Sequence, residues 1–207
     1  AGFHGGIKMK ENLTQHIFAF DCNSIPNEQH DNVLRAIKKY GVALRNTGRD
    51  QLVTGVRFTR NEEARVKNYA LEKFKVNSWL ENDGSGACNM LDQTANIMRE
   101  VGEHLASLPE EERPSQVIVS IIVFGRDNAS VHCTYDQLRN MIALQRDVYK
   151  WKFFLLTDFT INMEKLGIAE EDTIVIKKSE TDWFKRPYEE LTVKMVNCLT
   201  GKDPGTE

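Results

Sequence analysis

The chain has 207 residues, 41% apolar and 28% charged, enough to bury one core without disulfide or metal staples. A net charge of −3 excludes a bulk field that would draw it to nucleic acid or an anionic membrane. No run of eighteen apolar residues occurs, so a membrane-spanning helix is not expected.

Residues 1–11 are expected to be a disordered segment or an appended remnant, with Met9 as the native start. Residues 12–200 are expected to form a single domain and 201–207 a flexible tail. His16 to Phe20 reads as a short strand, ended by the polar loop Asp21-Cys22-Asn23-Ser24-Ile25-Pro26. Residues 27–46 read as a helix, with Val33, Ile37, Tyr40, Gly41 and Leu44 on one face and Arg35, Lys38, Lys39 and Arg45 away from it. A second strand is expected over 52–58. Residues 64–76 alternate and carry lysines, as half-exposed edge strands do. After the Gly84-Ser85-Gly86 loop, a helix is expected over 89–108, with Leu91, Ala95, Met98, Val101, Gly102 and Leu105 as its apolar stripe.

Next comes SQVIVSIIVFG, residues 115–125, a β-branched run too short for a buried helix. It predicts a strand covered on both faces, at the centre of a mostly parallel sheet. Thr134-Tyr135-Asp136-Gln137 matches a capping box and predicts a helix with Leu138, Met141, Ile142, Gln145 and Val148 inward. Strands over 151–156 and 173–176, a short helix over 162–166 and a closing helix over 183–199 complete the chain. The fold class is α/β: a doubly wound, mostly parallel sheet with helices on both faces and an antiparallel edge strand. Ligands of such sheets bind beyond the carboxyl ends of the strands.

No GxGxxG follows the first strand, and neither GxxxxGK[ST] nor HExxH occurs. The five histidines are scattered, and Cys22, Cys88, Cys133 and Cys198 lack CxxC spacing. The four read as reduced thiols, which places the chain in the cytoplasm. Cys88, opening a helix after Gly84-Ser85-Gly86-Ala87, also admits a nucleophile reading, but no base is identifiable.

Three stretches carry a family resemblance: MLDQTANIMREVGEHLASLPEEERPSQVIVSIIVFGRDNAS, YDQLRNMIALQRDVYKWKFFLLTD and a final LGI. Together, over residues 89–168, they resemble the carboxyl-terminal half of bacterial and phage von Willebrand factor A-like domains. The order of strands and helices extends the resemblance to residues 12–200. The resemblance implies protein binding through a divalent cation. In the family a DxSxS loop, a Thr and a strand-end Asp supply the hard oxygen ligands that magnesium needs.

Here Asp21 is retained, Asn23 stands at the first Ser position and Ile25 at the second. Cys88 falls at the Thr position and Phe124 at the strand-end Asp position. Ile and Phe offer no oxygen and a thiol is a soft ligand, so a vestigial site is expected, with no metal and no cofactor. Asp127 is the nearest substitute ligand. Asn23, Ser24, Ser85, Cys88, Arg126, Asp127 and His132 form a candidate rim for a protein partner that needs no cation.

The expected function is a non-enzymatic, metal-independent protein-interaction module of phage type, acting as adaptor or regulator of a larger complex. Three alternatives compete: a self-assembling structural protein or homo-oligomer, cation-dependent binding through a remodelled site at Asp21, and an enzyme using Cys88 or Asp21. Nucleic acid, through Lys38, Lys39, Arg45 and Arg49, is not expected as a partner.

Overall fold

The computed structural model describes residues 10–59, 65–75, 81–158 and 160–202. The expectations for residues 1–9, for Ala64 and Val76 and for the tail beyond 202 lie outside them. In chain order the elements are β1 (Lys10–Phe20), α1 (His30–Arg45), β2 (Asp50–Arg57), β3 (Arg65–Ala70), α2 (Met90–Ser107) and β4 (Pro114–Val123). They continue with α3 (Tyr135–Asp147), β5 (Lys152–Thr157), α4 (Thr160–Leu166), β6 (Thr173–Val175) and α5 (Lys185–Thr200).

The six strands form one sheet in the order β3-β2-β1-β4-β5-β6. All neighbours run parallel except β2 and β3, which pair antiparallel at the edge. The chain therefore winds outward in both directions from the central pair β1 and β4. Their carboxyl ends flank the point where the strand order reverses, the usual crevice of an open α/β sheet.

The central run behaves as its composition predicts. Successive side chains of a strand point to opposite faces. Val117, Val119, Ile121 and Val123 enter one core, with Met98 of α2, Leu138 and Ile142 of α3 and Leu166 of α4. Ile118 and Ile122 enter the other, with Val33 and Leu44 of α1 and Leu191, Met195 and Leu199 of α5. Burying both faces removes the polar alternation that a half-exposed strand would show.

Two expectations change. β1 starts at Lys10 rather than near His16, because its polar first half is held by β2 from Leu13 onward and by Lys10 N–H donating to Arg113 O at 3.0 Å. Backbone pairing on both sides makes a strand where side-chain pattern shows none. Val148, expected inward, is 60% exposed. The helix ends at Asp147, Lys150 adopts a left-handed φ of 61°, and Trp151 takes the buried place at 6% exposure. The capping box is present: Gln137 N–H donates to Thr134 Oγ1 at 3.2 Å, and Thr134 N–H donates to Gln137 Oε1 at 2.9 Å.

Candidate functional site at the strand ends

Asp21 directly follows β1 and is fully buried. Its N–H donates to Ile122 O at 2.8 Å, which joins it to β4. Its carboxylate closes the crevice: Oδ1 accepts from Ser24 N–H and Oδ2 from Phe124 N–H, both at 3.1 Å. Burial pushes the Asp21 carboxyl above its ordinary pKa, against the opposing effect of Ser24 and of the amides of Phe124, Ser24 and Asn23. Both oxygens thus serve the backbone of this chain.

The other positions that the resemblance assigns to metal ligands are closed in the same way. Asn23 Nδ2 donates to Ala87 O at 2.9 Å and Ser85 Oγ at 3.3 Å, and its Oδ1 accepts from Asp83 N–H at 3.2 Å. Ile25 is buried in the α1/α5 core. Cys88 is buried in the opposite core. Burial, then the Asp21 and Asp127 carboxylates, push its thiol pKa up, the reverse of an activated nucleophile. Cys22 is likewise raised to about 11, chiefly by burial. A thiol-reactive probe on the folded chain should therefore modify Cys133, which is partly exposed, well before Cys88 or Cys22.

Phe124 is fully buried, with edge-to-face contacts to Phe20 at 5.9 Å, Trp183 at 5.8 Å and Phe184 at 5.1 Å. Its carbonyl accepts from Lys178 Nζ at 2.7 Å. Lys178 also pairs with Asp158 at 2.5 Å and lies over the Trp183 ring at 5.7 Å. Sequence reading missed Lys178 and Asp158, which lie far along the chain and carry no motif. Gly125 follows in a crowded place: an added Cβ would stand 2.8 Å from Ser24 Oγ, which would have to shift, and 3.6 Å from Asp21 Oδ2. Gly125→Ala should cost about 1–2 kcal/mol. In a Ser24→Ala background the added cost should shrink, a coupling that a urea double-mutant cycle reads directly.

Asp127 is a brace for the loop rather than an open acid. Oδ2 accepts from Leu91 N–H at 2.8 Å and Ser130 Oγ at 2.6 Å, and Oδ1 from Ser130 N–H at 3.0 Å and Ala129 N–H at 3.3 Å. It thereby caps α2, where the negative carboxylate also meets the helix dipole. The brace is reciprocated by Asp92 of α2, which accepts from Val131, His132 and Cys133 N–H at 2.8, 3.0 and 2.7 Å. Asn128 adds a third tie, with Oδ1 accepting from Cys88 N–H at 2.8 Å. Asp92 and Asn128 were absent from the sequence reading because their partners lie about forty positions away.

Of the expected rim, Asn23 and Ser85 touch, and Ser24 lies against Gly125. Ser85, Arg126 and His132 are exposed, while the Asp127 carboxylate is taken up by backbone N–H groups and Ser130. Among the described residues, no group of three or more His, Cys, Asp or Glu side chains is placed to hold a metal ion. With two apolar positions, a protonated thiol and an Asp whose oxygens serve amides, the residues do not fit a divalent cation. Arg49, considered above for nucleic acid, bonds to Glu11 O at 2.9 Å and Thr14 Oγ1 at 3.3 Å at the opposite end of the sheet.

No family model and no curated protein matches the chain. Solved structures do. Proximal thread matrix protein 1 from the mussel byssus is 13% identical with a TM-score of 0.60, over 92% of this chain and 47% of that one. A second structure of that protein, with a zinc-occupied MIDAS motif, gives 14%, 0.56, 92% and 46%. The pilus adhesin SpaC from Lactobacillus rhamnosus GG, in its open conformation, gives 9%, 0.59, 91% and 30%. The chain spans less than half the length of each. The cytoplasmic expectation is corrected by these matches: byssus and pilus are both extracellular assemblies. No described helix is long and apolar enough to cross a membrane. The fold is that of a doubly wound, von Willebrand factor A-like sandwich, distantly similar to matrix and adhesion proteins.

Proposed function

We propose that the chain is a non-enzymatic protein-interaction module that engages its partner without a divalent cation, through the strand-end rim around Asn23, Ser24, Ser85, Arg126 and His132. One observation carries the reading: Phe124 closes the position that the resemblance assigns to an acidic ligand, and its own N–H occupies Asp21. What remains is a rim braced by hydrogen bonds of Asp92, Asp127 and Asn128, and strand-end loops are the variable, partner-facing part of such scaffolds. On this reading the module is an adaptor or regulator in a larger complex of bacterial or phage type.

The test has two arms. Millimolar magnesium or manganese should leave the melting temperature of the wild type unchanged; a rise that Asp21→Asn abolishes would sink the reading. A photo-crosslinking residue at Ser85 or His132 should capture the same partner with and without chelator, whereas one at Glu111 should not.

A second reading, self-association, is favoured by one surface. Leu144, Val148 and Tyr149 are 51, 60 and 62% exposed at the end of α3. Light scattering decides it: a monomer at all micromolar concentrations removes the reading, and a dimer dissolved by Leu144→Glu supports it.

A further inference from the structure

A cavity of about 480 Å³ opens on the α1 side of the sheet. None of the strand-end rim residues lines it. Its volume falls in the range of small-molecule sites, roughly 300–1,000 Å³. The walls are apolar: Phe18 and Phe20 of β1, Ile37 of α1, Leu71, Phe74 and Ile122 of β4. The charged residues that line it are Lys38, Arg45 and Lys75, all exposed. Among the described residues no acidic side chain joins them. In a chain of net charge −3, an apolar cavity whose charged lining among the described residues is cationic is a local reversal of sign.

Gly41 widens the opening. It sits inside α1 and lines the cavity, and an added Cβ would meet only Arg45 Nη1, at 3.6 Å. A glycine inside a helix is destabilising relative to alanine. Here neither backbone geometry nor crowding requires it, since its φ is not left-handed and an added Cβ would make only an ordinary contact with the end of the Arg45 side chain.

We propose that this cavity binds a single-chain amphiphile with an apolar tail and one acid group, the tail lying against Phe18, Phe20, Ile37 and Phe74 and the acid meeting Lys38, Arg45 and Lys75. Each methylene buried adds to the binding, which favours a long tail over a short one. The cations select the charged head, since a neutral head would lose the pairing.

Calorimetric titration of the full chain with dodecanoate, below its micellar concentration, should show one saturable site. Dodecanol, with the same tail and no charge, should bind roughly tenfold more weakly, and so should dodecanoate to Lys38→Glu/Lys75→Glu. Gly41→Leu should remove binding while melting no lower than wild type. The charge variant lies on the surface, so it reports even if Gly41→Leu misfolds. Four results overturn the proposal: no saturable dodecanoate site, equal affinity for dodecanol, binding that survives both variants, or binding to phosphatidylglycerol vesicles without uptake of free dodecanoate. A dimer that Gly41→Leu dissolves would assign the cavity to a second copy and overturn it as well.

Discussion

Replacing Asp21 by alanine is expected to lower the unfolding free energy by about 2–5 kcal/mol, because two amides, one buried and one part-buried, lose their acceptor at roughly 1–3 kcal/mol each. Those amides, Ser24 N–H and Phe124 N–H, lie in the first loop and at the end of β4. The loss should therefore appear as a cooperative destabilisation of the central strand pair, read by urea denaturation. Asp21→Asn retains one acceptor oxygen and should fall between wild type and alanine.

The pH dependence has a definite sign. Burial holds the folded-state pKa of Asp21 above its unfolded value, so folding favours the protonated form. That contribution is fully present below the unfolded pKa and is lost as pH rises through the folded one. The deficit of Asp21→Asn relative to wild type should accordingly be larger in acid than at neutral pH. A deficit that grows with pH would show that Asp21 works as a stabilised anion and would contradict the burial argument.

Restoring an acid at the strand end should not restore a metal site. Phe124→Asp is expected to cost at least as much as Phe124→Ala, about 3–5 kcal/mol, and to confer no stabilisation by magnesium. The side chain at this position enters the aromatic group of Phe20, Trp183 and Phe184, where a carboxylate would be stripped of water without a paired donor. Ile25, Cys88 and the engaged oxygens of Asp21 would still supply no shell. Phe124→Asp measured beside Phe124→Ala, each with and without millimolar magnesium, separates the effects. Cation-dependent recovery of the Asp variant alone would mean that a cradle survives beneath the aromatic cap.

Much of the fold was legible because burial leaves a period in sequence. The run from Val117 to Phe124 is apolar at every position but Ser120, and the structure divides those side chains between two cores. Tyr188, Leu191, Met195 and Leu199 announced the buried side of α5 by helical spacing, and all four are buried. Thr134 and Gln137 announced the start of α3, since a capping box is local chemistry. Local pattern failed where pairing rather than side-chain burial makes the element, as in the polar first half of β1. It failed again at Val148, where a chain reversal outvotes the helical period.

At the site, the sequence by itself determined that Ile25 and Phe124, at positions the resemblance assigns to ligands, bring no side-chain oxygen wherever they are placed. Only the tertiary structure decided what each polar group does. Asp21 and Asp127 look alike as loop acids, yet one ties β1 to β4 and the other caps α2 across thirty-six positions. The Lys178 contact to Phe124 O, the Asp92 brace and the cation-lined cavity beside Gly41 likewise join distant segments. A carboxylate is satisfied by whichever donors the folded chain brings within hydrogen-bond reach. That choice depends on strand order and loop path, which residue spacing does not encode.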